Sequence, residues 1–288
     1  MLKYAGLTLL VVIGTSVYLL FSIPRIGDLS FSSAPEAIER GKYLVAAGGC
    51  VGCHESPDNA GSLSGGHGLV SEFGTFYVPN ITPDVETGIG NWTAEEFVLA
   101  VKYGRRPDGG YYFPALPYRS YSGLTDQDVL DMGSYLMSIS PIAFEVRQHE
   151  TPILIANWMM AGWNLIAEQF ESSKVDLPSS ELERGRYLAR NLGHCGECHT
   201  PRNFLGIPMN EREFAGATLG ESHADAINPE ALASWSTDDA AFFLFMGMKP
   251  DEEYVGGEME AVIAHNTSQL TEDDRRAMAS FLKYDGPR

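Results

Sequence analysis

The sequence predicts an all-α fold, with two tandem helical domains that follow an N-terminal transmembrane helix. A segment of about 145 residues occurs twice in the 288-residue chain, apolar residues in each copy follow helical spacing, and the run Ala5–Ile23 carries no charge. These observations predict an anchor at 1–25, a first domain at 34–140, a connecting segment at 141–179 and a second domain at 180–288.

The two copies match at three places along the chain. The paired runs are Glu39–Leu44 with Glu183–Leu188, Trp92–Glu96 with Trp235–Asp239, and Leu124–Asp128 with Leu270–Asp274. In each copy we expect a helix that leads into a cysteine pair (about Pro35–Ala47 and Ser180–Asn191), a helix that begins at a capping box, and a helix that begins at a threonine. Tyr43 and Tyr187, one on each first helix, are expected to contact the last helix of their own domain.

Two short runs use all four cysteines of the chain, Cys50-Val51-Gly52-Cys53-His54 and Cys195-Gly196-Glu197-Cys198-His199. Each has the form C-x-x-C-H, the attachment signature of a c-type haem. The two thiols add to the two vinyl groups of one porphyrin, and the histidine presents an imidazole nitrogen to the iron. We therefore expect two covalently bound haem c groups, with His54 and His199 as iron ligands.

Other uses of paired cysteines fit this sequence less well. A redox-active C-x-x-C is expected in a thioredoxin-like context, which does not explain a histidine after both pairs. A zinc ribbon places its two pairs roughly 15–20 residues apart, whereas these pairs lie more than 140 residues apart. Haem attachment is the interpretation that accounts for every residue of both runs.

The net charge of −18 limits the partners of the chain. Nucleic-acid binding calls for basic patches, so we expect no nucleic-acid partner. An acidic surface is suited to a basic redox partner, although it also serves simply to keep a protein soluble.

The uncharged run near the N-terminus is long enough to span a bilayer. A cleaved signal peptide is the alternative, but its apolar region usually has about 7–15 residues. We favour an uncleaved anchor in the bacterial inner membrane, with the N-terminus in the cytoplasm. Because haem is attached to C-x-x-C-H outside the bacterial cytoplasm, the haem domains are expected in the periplasm. The apolar connecting segment is expected to pack across both domains, with a short helix near Trp158–Gln169.

Further runs along the chain carry a family resemblance. They are Pro79–Asp84 with Thr87–Gly90, Tyr118–Tyr121, Ala161–Leu165 and Gly193–Asn203. Together with the two C-x-x-C-H motifs, they make the chain similar to the membrane-bound cytochrome c subunits of periplasmic alcohol, gluconate and aldehyde dehydrogenases. The resemblance implies two tandem class I cytochrome c domains, a dehydrogenase or respiratory complex as partner, and a quinone or another cytochrome as the exchange partner for electrons. Members of that family usually carry three haem domains, whereas this sequence has two.

The resemblance also indicates the sixth ligand of the second iron. The family places a methionine in a short loop before the last helix, and Met259 fits this position, with Met246 and Met248 as alternatives. A thioether ligand raises the reduction potential of a haem.

The sixth ligand of the first iron is left open by the sequence. The family pattern has methionine where this chain has Leu116, and leucine cannot bind iron. One alternative is His67, which lies in a flexible glycine-rich loop. A second is an iron open to small molecules, and a third is another group such as Met132, Met137 or a tyrosine.

The predicted function is one-electron transfer in a respiratory chain, as the cytochrome subunit of a dehydrogenase or oxidoreductase complex rather than as an enzyme. The alternative is a haem enzyme, in which an open first haem acts on peroxide or on a small sulfur or nitrogen compound. No residue is assigned a catalytic role.

Covalent haem attachment can be tested directly by mass and colour. Protein made in a host with working haem-ligation machinery should be coloured and heavier than its amino acids by two haem groups, because thioether bonds survive denaturation. Mass spectrometry of the denatured protein measures this. A colourless product with the bare polypeptide mass would contradict the whole interpretation.

Overall fold

The computed structural model describes residues 26–57, 59, 61–152, 159–168, 177, 179–220 and 222–287. The first half begins with helix α1 (Pro35–Ala47) and the short helix α2 (Cys50–His54). A hairpin of β1 (Gly68–Ser71) and β2 (Gly74–Tyr77) follows. Three more helices complete it: α3 (Ala94–Tyr103), α4 (Tyr118–Tyr121) and α5 (Asp126–Ser138). Helix α6 (Met159–Glu168) lies in the connecting segment.

The second half repeats this order of elements. It contains α7 (Ser180–Arg186), which continues as a π-helical turn (Tyr187–Leu192), then α8 (Gly196–His199), a 3₁₀ turn (Asn210–Arg212), β3 (Ala217–Leu219), β4 (Ser222–Ala224), α9 (Thr237–Met246), α10 (Glu258–His265), a 3₁₀ turn (Thr267–Gln269) and α11 (Glu272–Lys283). The helices expected at Pro35–Ala47 and near Trp158–Gln169 are confirmed within one residue at each described end.

The prediction of an all-α fold was wrong, because each half also contains a two-stranded antiparallel sheet. In the first hairpin Gly68 pairs with Tyr77 and Ser71 with Gly74, and in the second Ala217 pairs with Ala224. Strands of three or four residues are too short to show an alternating apolar pattern, so periodicity alone could not reveal them.

The predicted membrane anchor is also corrected. Among the residues that the structure describes, none of the helices has the length and apolar character needed to cross a bilayer. The segment chosen as the anchor, 1–25, lies outside those residues. The predicted inner-membrane location depended on this anchor and is not supported by the described helices.

The second helix of each half begins where the sequence predicted. Thr93 accepts a hydrogen bond from the backbone of Glu96, whose carboxylate accepts one from the backbone of Thr93, and Ser236 and Asp239 repeat the arrangement. Each such box satisfies two backbone N–H groups that a helix start leaves unpaired.

The first and last helices of each half cross at a glycine. A Cβ atom added to Gly41 on α1 would lie 1.9 Å from the carbonyl oxygen of Asp131 on α5, and one added to Gly185 on α7 would lie 2.0 Å from that of Ala277 on α11. Only glycine permits backbones to approach this closely. The two crossings are therefore built in the same way, as the repeat predicts.

The largest hydrophobic cluster among the described residues spans both halves. This cluster of buried side chains includes Leu44 and Val98 from the first half together with Leu188, Phe214 and Met278 from the second. Met132, one candidate for an iron ligand, also belongs to this cluster and is 2 % exposed.

The connecting segment contacts both halves, as expected. The backbone oxygen of Ile142 accepts a hydrogen bond of 2.7 Å from Asn80. On α6, Asn164 accepts one from Tyr118 of the first half, and Trp163 donates one to the backbone oxygen of Leu205 in the second half.

Two tyrosines join the halves reciprocally. The hydroxyl of Tyr43 on α1 donates to Asp274 on α11 and accepts a 3.2 Å hydrogen bond from the backbone N–H of Thr271. The hydroxyl of Tyr187 donates to Asp128 on α5 and accepts one of 3.3 Å from the N–H of Thr125. Both hydroxyls thus reach the last helix of the other half. The prediction that each tyrosine contacts the last helix of its own half was wrong.

Asp274 also receives a bidentate hydrogen bond from Arg184 of its own half, at 2.8 and 2.7 Å. Partial burial opposes ionisation, but the hydrogen bonds from Arg184 and Tyr43 outweigh it and lower the pKa of Asp274. The carboxylate is therefore charged at neutral pH and strengthens the bond from Tyr43.

Tyr43→Phe and Tyr187→Phe should each destabilise the protein by about 1.5–3 kcal/mol, because each removes a hydrogen bond to a charged group. The denaturant midpoint of the haem-loaded protein measures the effect. Tyr254→Phe is the matched control, because Tyr254 is 66 % exposed. If both substitutions shifted the midpoint no more than the control does, the hydroxyls would not hold the halves together.

Candidate haem attachment sites

The short helix α2 contains the three predicted haem-binding residues of the first motif, Cys50, Cys53 and His54, within about one and a half turns. Gly49 precedes the helix with φ of +68°, in the left-handed region that glycine adopts without strain. Cys50 and Cys53, three residues apart on a helix, share a face, and His54 ends the helix.

The ring of His54 is oriented by the backbone of a distant loop. Its Nδ1 atom lies 2.8 Å from the carbonyl oxygen of Pro79. A carbonyl only accepts hydrogen bonds, so Nδ1 carries the proton and Nε2 keeps its lone pair. Metal-binding histidines are commonly held in this way, with the second ring nitrogen bonded to a carbonyl.

The second motif repeats this geometry. Cys195 precedes α8, which ends at His199, and the Nδ1 atom of His199 lies 2.6 Å from the carbonyl oxygen of Asp225. The lone pair of Nε2 is again available to an iron.

Both imidazoles are neutral at physiological pH. Burial lowers the pKa of His54 to about 4, although the hydrogen bond to Pro79 opposes the shift. Burial likewise lowers the pKa of His199, against the opposing effect of Asp225. A neutral imidazole is the form that binds a metal.

The hairpins bring these two carbonyls to the histidines. The N–H of Gly65 donates to the backbone oxygen of His54, and the N–H of Gly216 to that of His199, both at 2.8 Å. The chain then enters a hairpin, which returns it to Pro79 or Asp225. The sheets missed by the sequence analysis therefore position the orienting carbonyls.

Pro79 and Asp225 were not recognised from the sequence as equivalent positions. A signal was present, because Ile81 and Pro83 recur as Ile227 and Pro229 at the same distance from the two residues. A backbone carbonyl carries no side-chain signature, so only alignment of the two repeats could have identified these positions.

No disulfide joins any of the four cysteines, all of which lie in the described ranges. Burial raises the pKa of Cys50 and of Cys195 to about 12, so these thiols are not thiolates of a reactive redox pair. Within the described ranges, no group of three or more His, Cys, Asp or Glu is arranged to hold a metal ion by itself. Two cysteines that form no disulfide, beside a histidine whose Nε2 is available, fit a covalently attached haem.

The two motifs lie close together in the folded chain. The Nε2 atom of His194 lies 3.2 Å from the carbonyl oxygen of Gly48, which joins the residues in front of the two cysteine pairs. Burial is the main cause of the raised pKa of Cys198, about 11, and Glu197, Glu258 and then Cys53 of the other motif also contribute.

Helix α10, which begins with Glu258 and Met259, is in contact with α2, and its Glu258 accepts a hydrogen bond from Ser222 on β4. The helix therefore touches both the first motif and the hairpin of the second. Met259 is partly buried.

The candidates for the sixth ligand of the first iron are spread over the first half of the chain. His67 is exposed in the loop before β1, and its backbone oxygen accepts a hydrogen bond from Val78. Leu116 and Met137 are partly buried against the shared core, and Met132 lies within it.

Comparison with known proteins defines the class. The cytochrome c family model matches residues 38–140. A diheme cytochrome c-type of Cereibacter sphaeroides is 38% identical over 97% of this chain and 96% of its own length. These matches define a c-type cytochrome, in which haem c is covalently bound.

Two further relatives are subunits of larger complexes. The fructose dehydrogenase cytochrome subunit of Gluconobacter japonicus is 35% identical over 86% of this chain and 52% of its own length. The gluconate 2-dehydrogenase cytochrome c subunit of Pantoea cypripedii is 34% identical over 90% and 63%. The chain thus spans between half and two thirds of these subunits, but nearly all of the diheme relative.

The chain belongs to the diheme c-type cytochromes. Its predicted cofactor, covalently bound haem c, and its predicted role in electron transfer rather than catalysis are confirmed by this membership. The relatives give no support to the alternative of a haem enzyme.

Substituting Gly65 by alanine should disturb the first site. A Cβ atom there would lie 2.4 Å from the carbonyl oxygen of Val78 and 2.5 Å from that of Pro79, at a φ of +74°. We expect a loss of at least about 2 kcal/mol from backbone strain and displaced carbonyls, together with weaker haem incorporation. Thermal unfolding and the absorbance of haem per polypeptide measure these effects.

Gly162→Ala is the matched control, because it meets no atom within 4 Å and lies inside α6. Alanine there should be neutral or stabilise by up to about 1 kcal/mol. If Gly65→Ala behaved like this control, the carbonyl of Pro79 would not depend on the close approach of Gly65.

Proposed function

We propose that each half of the chain binds one haem c, the first through Cys50 and Cys53 and the second through Cys195 and Cys198, with His54 and His199 as proximal iron ligands. The observation that carries this proposal is the repeated hydrogen bond from Nδ1 to a backbone carbonyl, which leaves Nε2 available in both histidines. In this proposal residues 34–140 and 180–288 are the two haem domains, and 141–179 connects them.

The haem iron supplies the one-electron chemistry, and the chain supplies the conditions for it. Neutral imidazoles held by Pro79 and Asp225 fix the orientation of the proximal ligands. The shared core and the reciprocal tyrosines hold the two sites at a fixed separation. These are the requirements of a carrier that passes electrons from one site to the other.

For the second iron we propose Met259 as the sixth ligand. The pKa of the Cys198 thiol is raised mainly by burial, then by Glu197 and then by Glu258, the neighbour of Met259. The start of this helix therefore lies close to the second cysteine pair. For the first iron, the absence of methionine at Leu116 leaves His67 and an open position as the two leading hypotheses. Either arrangement gives the first haem a lower potential than a methionine-ligated second haem.

We further propose a dehydrogenase as the electron donor and another cytochrome or a quinone as the acceptor. The support comes from the relatives, two of which are named as cytochrome subunits of fructose and gluconate dehydrogenases. A net charge of −18 would accelerate encounter with a partner that presents a basic surface, and would make the association rate fall with added salt.

The ligand assignments predict a specific change in potential. Met259→Leu should lower the reduction potential of the second haem, because the thioether that stabilises the reduced iron is lost. Met246→Leu and Met248→Leu are matched controls, since these methionines are the alternative ligands. Potentiometric titration followed by absorbance separates the two haems.

His67→Ala tests the first site in the same titration. Paramagnetic resonance should change for the first haem alone if His67 is the ligand. A wild-type spectrum that changes on adding cyanide, in one haem only, would instead identify the open position. A lower potential for the second haem than for the first would contradict the proposed order of electron flow.

A further inference from the structure

His194 has an unusual backbone conformation directly in front of the second motif. Its φ is +40°, and only Phe214 and Glu252 share a positive φ among the non-glycine residues of the described ranges. The equivalent position before the first motif is Gly49, with a φ of +68°. A side chain at this position costs backbone energy, and such strain often marks a functional position.

The strained backbone directs the imidazole of His194 across the boundary between the two halves. Its Nε2 atom lies 3.2 Å from the carbonyl oxygen of Gly48. The same oxygen accepts a 2.8 Å hydrogen bond from the hydroxyl of Tyr121, and the Tyr121 ring meets the imidazole edge-on, with 5.5 Å between ring centroids. A carbonyl accepts, so Nε2 of His194 carries the proton.

The glycine in front of the first motif lies beside this side chain. A Cβ atom on Gly49 would lie 3.6 Å from Nε2 of His194 and 3.0 Å from the side-chain nitrogen of Asn266. The two copies therefore differ at this position. The first has a glycine at positive φ, and the second has a histidine whose ring lies in ordinary contact range of that glycine.

The bridge connects the two proposed haem attachment points through covalent bonds and a single hydrogen bond. His194 is covalently bonded to Cys195, and Gly48 is separated from Cys50 only by Gly49. One hydrogen bond thus joins the two chains of covalent bonds. Electron tunnelling weakens much less along bonds and hydrogen bonds than across empty gaps of the same length.

We propose that His194 is the bridge for electron exchange between the two haems, through its hydrogen bond to the carbonyl of Gly48. The proposal rests on the attachment of haem at Cys50 and Cys195 proposed above. We assign His194 a positioning and coupling role and not that of an iron ligand, because its Nε2 atom is hydrogen-bonded to Gly48.

The experiment is intramolecular electron exchange in the full dihaem protein, measured after pulse radiolysis of wild type and His194→Gly. Glycine is the residue that the first copy uses at this position, and it relieves the strained φ. We expect the exchange rate constant to fall about tenfold while both reduction potentials stay unchanged. Some loss of stability is also expected, because the substitution removes a hydrogen bond and a ring contact. Lost stability with an unchanged rate would overturn the proposal in favour of a structural role.

Tyr121→Phe is the matched control. It removes the other hydrogen bond to the Gly48 carbonyl and keeps the ring against the imidazole, so exchange should stay near the wild-type rate. An equal loss of rate in Tyr121→Phe and His194→Gly would overturn the assignment of the bridge to His194. If His194→Gly does not fold, His194→Asn replaces it, because asparagine tolerates a positive φ but has a shorter side chain.

A second readout does not depend on electron exchange. Nitrogen resonances of the labelled imidazole should show His194 as the tautomer protonated at Nε2, with a slowly exchanging proton. The opposite tautomer would exclude the hydrogen bond to Gly48. Protein that carries two haems by mass but fails these tests would refute only the bridge, whereas protein without haem would refute the proposed attachment itself.

Discussion

The reciprocal contact between the first helix of each half and the last helix of the other is the constraint on which the rest of the structure depends. Tyr43 reaches Asp274 and Tyr187 reaches Asp128, so each tyrosine anchors at the start of a helix that belongs to the opposite repeat. The arrangement resembles the self-complementary interface of a symmetric dimer, formed here within one chain. The largest hydrophobic cluster of the described residues also contains side chains from both halves, so each half covers part of the core of the other.

This constraint fixes the relation between the two haem attachment motifs. The first helices that carry the tyrosines lead directly into the cysteine pairs, at Gly48 and at Gly193. Once these helices are held, the residues in front of the two motifs come within hydrogen-bond distance. A carrier that exchanges electrons internally needs this fixed spacing, because tunnelling depends steeply on separation.

The repeat is close but not complete, and the differences carry the functional asymmetry. The two proximal histidines are held in the same way, by Pro79 and by Asp225. In contrast, the first copy has Leu116 where the family resemblance implies a methionine, and the second copy has His194 where the first has Gly49. In the proposed ligand assignment these differences set distinct potentials for two otherwise similar sites. Burial in both halves keeps the two histidines neutral.

Local signals in the sequence by themselves determined the two C-x-x-C-H motifs, the capping boxes at Thr93 and Ser236, and the repeat. Each of these features depends on neighbouring residues or on a fixed spacing along the chain. Only the tertiary structure decided the rest. The hairpins are too short for a periodic pattern, the carbonyl of Pro79 has no side-chain signature, and the partner of Tyr43 lies 231 positions away. Contacts of that kind depend on how the two halves pack, which no local pattern encodes.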